Sequence, residues 1–199
     1  MDTRILIPAL IIVAVIVVIA VALLARRRRS NQLKQRFGPE YDRTVVQQRG
    51  DSRRAEETLV EREKRVETFP LRSLTPVDRE AYAMEWATVQ RRFVDDPSAA
   101  VGTADRLVSR VMTDRGYPMT DFDQRAADIS VTYPQVVQNY RAAHDIVLRH
   151  TDGHATTEEL RQAMVHYRSL FDELLAPAES SKVEPINNRR KGVAHERAS

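Results

Sequence analysis

"TPVDREAYAMEWATVQRRFVDDP", residues 75–97, decides the fold class of this chain. Thr75 offers a side-chain oxygen that can cap backbone N–H groups, and Pro76 suits a first turn, where its missing N–H has no intrahelical role. Tyr82, Trp86, Val89 and Phe93 then recur at i, i+4, i+7 and i+11, which is one face of a 3.6-residue helix. Asp96-Pro97 stops this helix and starts another. The stretch reads as one amphipathic helix with both ends marked.

The same grammar repeats toward the C-terminus. Ala100, Ala104, Leu107 and Val111 form a second stripe, ended by Gly116. Thr120 with Asp123 resembles a capping box ahead of a short apolar face of Phe122, Ala126 and Ile129. Pro134 is expected to open a longer helix carrying Val136, Tyr140, Ala143 and Val147. "HTDGHAT" at 150–156 reads as a loop. Thr156 with Glu159 is a capping box for a last helix bearing Leu160, Met164, Tyr167, Phe171 and Leu174, which Pro177 stops. Five helices between Thr75 and Ala176 with short connections predict antiparallel neighbours, hence a small bundle over 74–176. The tail 177–199 carries almost no apolar residues and reads as disordered.

Upstream, Ile5 to Ala25 is "ILIPALIIVAVIVVIAVALLA", without one charged or polar side chain. As a helix it spans about 31 Å, close to the roughly 30 Å hydrocarbon core of a bilayer. A cleaved signal peptide is the alternative, but the apolar run is too long and "MDTR" at 1–4 has no basic excess. The run reads as a retained signal-anchor. Arg26, Arg27, Arg28 and Arg29 follow it directly, so the positive-inside rule puts residues 1–4 outside the cell membrane and the chain from Arg26 onward in the cytoplasm. The four arginines form a membrane-interface group with the lipid bilayer as partner; they read first as a simple stop-transfer anchor without a regulatory lipid role, with contact to anionic headgroups as the alternative.

Residues 26–73 read as a basic, jointed juxtamembrane stalk. Leu33 and Phe37 share a helix face, Gly38-Pro39 breaks it, Tyr41 and Val45 resume it, and Gly50-Asp51 breaks it again. In "SRRAEETLVEREKRVETF" from Ser52, only Leu59 and Val66 mark an apolar face. Two positions one heptad apart are too few for a coiled coil, so the segment reads as a solvated spacer helix, with self-association as the alternative.

The chemistry-bearing residues assemble into no recognised catalytic motif. With no cysteine there are no disulfides, no thiol catalysis and no thiolate metal sites. A net charge of +3 gives no global nucleic-acid signature, and aromatic interleaving for base stacking is nearly absent from the basic connector. His150 and His154 are four apart, but Asp152-Gly153 between them argues against one continuous helix and a metal pair. Asp121, Asp123 and Asp128 lie close in sequence beside Arg125, where caps and helix-start charge explain them without acid–base chemistry. Six glycines leave little material for a phosphate-binding loop. No cofactor, metal or catalytic residue is therefore expected.

"RFGPEYDRTV", "RFVDDP", "RGYP", "DFDQRAADISV" and "YRSLFDELL" together resemble a family of bacterial single-pass membrane proteins with no assigned activity. The resemblance covers most of the chain from Arg36 to Leu175. It implies a bacterial membrane location and transfers no functional residue.

The expected architecture is all-α: one transmembrane helix, charged juxtamembrane helices and a small cytoplasmic bundle. It suits a non-enzymatic adapter or scaffold that holds a protein partner near the membrane. The rival is a membrane-tethered enzyme using polar residues of the bundle. Tyr117 and Phe122, which flank the Gly116–Pro118 turn, are the candidate partner-binding pair, because aromatics on rigid loops are common at interfaces. The alternative is that both rings pack inward and lock the helix junction.

Overall fold

The computed structural model describes the backbone of residues 3–177 and the side chains of residues 16–177. Among these residues are eight helices and no strand, so the fold is all-α. The chain divides into two compact units, the first ending at Lys64 and the second beginning at Arg65.

The first unit holds α1 (Thr3–Phe37), α2 (Pro39–Gln47) and most of α3 (Ser52–Val66). Gly38 ends α1 with φ at 49°, and Pro39 takes the first position of α2. Arg49 and Gly50, both at positive φ, make the second turn. The Asp51 carboxylate then accepts from the Arg53 and Arg54 amides at 3.0 and 3.1 Å and starts α3.

The register of these three helices follows from their contacts. Glu40, near the start of α2, meets Arg62, near the end of α3, at 3.0 Å. Gln48, just past α2, donates to Thr58, further back along α3, at 3.3 Å. So α2 and α3 are antiparallel. Arg36 near the end of α1 pairs with Glu63 at 2.8 Å, while Arg26 and Arg29 share a cleft with Arg53, Glu56 and Glu57. So α1 and α3 run parallel, and the nine-residue α2 carries the chain back between them.

This arrangement corrects the expectation of a solvated spacer helix. Leu33, Phe37, Tyr41, Ala55 and Leu59 are between 0 and 3% exposed. Ala55, Leu59 and Arg62 fall at i, i+4 and i+7, a stripe that an inventory of large apolar residues registers only at Leu59. Val66, the other expected position, is also buried, and belongs to the second unit.

Among the described residues, no helix is long and apolar enough to cross a membrane. The side chains of the apolar run 5–25 are described only from Ile16; those of 5–15, and the 178–199 part of the tail, lie outside the described residues.

The second unit is a five-helix bundle of α4 (Pro76–Arg92), α5 (Pro97–Asp114), α6 (Phe122–Thr132), α7 (Val137–Thr151) and α8 (Thr157–Leu175). α8 is central and packs on both α5 and α7; α4 lies on α5, and α6 on α7. The expected stripes form the core: Trp86, Val89, Leu107, Val111, Ile129, Tyr140, Tyr167, Phe171 and Leu174 are all buried. Trp86 stacks on Phe171 with ring centroids 4.6 Å apart. Thr75 with Asp78, and Thr156 with Glu159, form complete capping boxes.

Two local readings change. Asp121, not Thr120, caps α6, because its carboxylate accepts from the Gln124 amide at 3.0 Å. α7 begins at Val137 rather than at Pro134, since Tyr133 closes α6 and residues 134–136 form a turn.

Candidate functional site

The Gly116 junction, which carries Tyr117 and Phe122, is built from within. Gly116 has φ of 90°, and a Cβ there would lie 2.4 Å from the Pro70 carbonyl oxygen. Only glycine accepts both the backbone angle and that approach. The Arg72 amide donates to the Arg115 carbonyl at 3.0 Å, and the Tyr82 hydroxyl to Asp114 at 2.5 Å. Burial, together with Asp114, pushes the Tyr82 phenol up to about 12. Arg115 is buried, donates to the Leu174 carbonyl at 2.6 Å and so closes the end of α8.

Tyr117 sits inside this knot at 4% exposure. Its hydroxyl donates to Thr132 at 2.9 Å, and its ring meets Phe69 edge-on at 6.4 Å. Burial raises its phenol well above the ordinary value. Phe122 is half-buried and lies flat on the His144 imidazole, centroids 3.5 Å apart, and tilted against Tyr140 at 4.9 Å. Both rings thus pack inward and lock helices together.

Beside Phe122, polar groups from four helices converge. The Tyr167 hydroxyl donates to Asp105 at 2.9 Å, and Arg125 Nε donates to the Tyr140 hydroxyl at 2.8 Å. The two tyrosine rings meet at 6.2 Å. Burial raises both phenols, Tyr140 to about 12, so they remain neutral hydrogen-bonding groups at physiological pH. Burial lowers the His144 pKa, against the opposing pull of Asp105 and Asp145. The group orients four helices, and every polar member except His144 is tied to another by a hydrogen bond.

The three aspartates near Phe122 disperse. Asp121 caps α6, Asp123 is 90% exposed, and Asp128, at 1%, faces Arg65 at 3.2 Å and Gln124 at 2.8 Å. His150 exchanges a hydrogen bond with Ser98 at 2.7 Å. Among the described residues, no group of three or more His, Asp or Glu could hold a metal ion.

Two surface features remain. On α4, Val77, Ala81, Met84 and Thr88 recur at i, i+4, i+7 and i+11 and are all exposed, Val77 at 74% and Met84 at 62%. At 100° per residue this stripe lies opposite the Tyr82–Trp86–Val89–Phe93 face, so α4 is apolar on two sides. Sequence reading followed the aromatic face and passed over this one, although the spacing was visible. In the first unit, Arg26 and Arg29 of α1 and Arg53 of α3 line a cleft of about 580 Å³ with Ala25, Glu56 and Glu57. Arg27 and Arg28 are exposed and do not line it.

Compared with known proteins, the chain matches no family model, no curated protein and no solved structure.

Proposed function

We propose that this chain is a membrane-anchored, non-enzymatic adapter of the bacterial cell membrane. In this reading residues 5–25 of α1 cross the bilayer, Arg26–Arg29 sit at its cytoplasmic face, and the bundle offers the exposed stripe of α4 to a protein partner. One observation carries the anchor. Ile16, Val17, Val18, Ile19, Val21, Leu23 and Leu24 are each 53 to 67% exposed, around the whole circumference of α1. A helix that is apolar on every side is stable in a hydrocarbon solvent and costly in water. The uncharged run extends back to Ile5, and α1 is continuous through it.

The stripe on α4 supports the adapter half. Its apolar side chains sit among polar ones and have no partner in the fold, as at helix-docking surfaces. The chemical groups inside the bundle are, by contrast, tied to one another, which favours a binding role over catalysis.

A double variant, Val77→Asp with Met84→Asp, tests the surface. Full-length protein purified in detergent is expected to keep its melting curve and lose the protein that co-purifies with the unaltered chain. Unchanged co-purification would move the interface elsewhere.

A further inference from the structure

The turned-back path of the first unit gives the arginine block a geometry that a linear stalk lacks. Because α2 reverses the chain, the start of α3 returns to the level of Arg26. Arg53 therefore joins Arg26 and Arg29, themselves three apart on one face of α1, around a single cleft. Among the described residues, Arg26 and Arg29 make no hydrogen bond or ion pair. Arg53 is held 3.1 Å from Glu57, and Glu56 accepts from the Tyr41 hydroxyl at 3.0 Å. Ala25, the last apolar residue of the run, forms part of the wall, and Leu23 and Leu24 beside it are exposed.

We infer that this cleft is a specific site for an anionic glycerophospholipid with a hydroxylated headgroup, such as phosphatidylglycerol. The inference rests on α1 crossing the membrane. The fork of each guanidinium matches a phosphodiester, and two of the three have no internal partner. Glu56 and Glu57 are placed to accept hydrogen bonds from headgroup hydroxyls. Three arginines against two glutamates leave one net positive charge, which matches one phosphodiester. The apolar side of the cleft, at Ala25 and the leucines before it, is where the glycerol and acyl chains continue. A free phosphate would leave that wall unused.

The test uses delipidated full-length protein in a neutral detergent. Retention of phosphatidylglycerol, phosphatidylethanolamine and phosphatidylcholine with the same acyl chains is compared by native mass spectrometry, with inorganic phosphate as competitor. Phosphatidylglycerol is expected to bind in preference to both others and to resist phosphate. Arg53→Gln is expected to weaken it about five-fold, the scale of one basic residue at a headgroup. Arg27→Gln removes the same charge outside the cleft and is expected to change affinity less than two-fold. Arg53 is 74% exposed, so its replacement leaves the helical fold intact, as circular dichroism can check. Equal losses for Arg53→Gln and Arg27→Gln would overturn the site in favour of diffuse charge, as would equal retention of the three lipids. Displacement by phosphate would overturn the lipid assignment. A protein washed from membranes by alkaline carbonate fails as an anchor; one that stays, yet binds without preference, fails only in the cleft.

Discussion

The Tyr167 hydroxyl donates to the Asp105 carboxylate at 2.9 Å across 62 residues of sequence, joining α8 to α5 inside the bundle. Tyr167 is 0% exposed and sits where α8 meets its neighbours. Tyr167→Phe keeps the ring and removes one hydrogen bond to a charged acceptor. The expected cost is about 1–2 kcal/mol in urea unfolding, because Asp105 is only half-buried and water can partly replace the donor. Combined with Asp105→Ala, the phenylalanine should cost little more than Asp105→Ala alone. Full additivity would show that the bond contributes nothing.

Gly116 and Gly153 separate two effects of glycine. Both have positive φ, 90° and 75°, but only Gly116 faces a backbone atom, while nothing lies within 4 Å of a Cβ at Gly153. Gly153→Ala is expected to cost about 1 kcal/mol from the backbone angle alone. Gly116→Ala must also push the Pro70 segment away and is expected to cost at least about 3 kcal/mol. Equal melting shifts for the two variants would mean that the Pro70 contact is not maintained in solution.

His144 sets a pH dependence. Its folded pKa lies below the ordinary value near 6.5, mainly through burial, with Arg125 adding to the effect and Asp105, Asp145 and Asp123 opposing it. The unfolded chain therefore binds more protons just below pH 6.5, so stability falls as pH drops from 6.5 toward the depressed folded value, then levels. Glu158 and Glu159 have lowered pKa values and act in a more acidic window, below about 4.5. His144→Gln should flatten the stability profile just below pH 6.5. An unchanged slope would assign it to another group.

In the first unit, Arg62→Ala withdraws the guanidinium facing Glu40, a carboxylate with 0% exposure. Breaking a buried pair from one side costs about 3 kcal/mol, whereas replacing both members by apolar side chains can cost little. Amide exchange in α2 is expected to accelerate about a hundredfold in Arg62→Ala and to recover in Glu40→Leu with Arg62→Met. Protection unchanged in the single variant would show that the pair does not hold α2 in place.

The bundle was legible because its helices state their own ends. Thr75, Asp96, Thr156 and Pro177 punctuate stripes whose spacing fixes which side chains enter the core. The first unit was harder to read, since Ala55 is buried although small, and a Glu40–Arg62 pair with a buried carboxylate has no signature in a hydrophobic pattern. Long-range placement was invisible: nothing in the spacing says that Pro70 crosses Gly116, or that Arg53 returns to Arg26. The turn at Tyr117 illustrates the same gap, because an aromatic on a tight loop has the same sequence whether it faces a partner or the Phe69 ring.

The central claim is an anchored chain with its bundle in the cytoplasm, and the absence of cysteine makes that directly measurable. Thr3→Cys and Asp152→Cys place single thiols near the start of α1 and in the turn after α7. Spheroplasts carrying each variant are treated with a membrane-impermeant maleimide before and after lysis. The expected result is labelling of Thr3→Cys in intact spheroplasts and of Asp152→Cys only after lysis. Labelling of Asp152→Cys in intact spheroplasts, or recovery of the chain in the soluble fraction, would contradict the account.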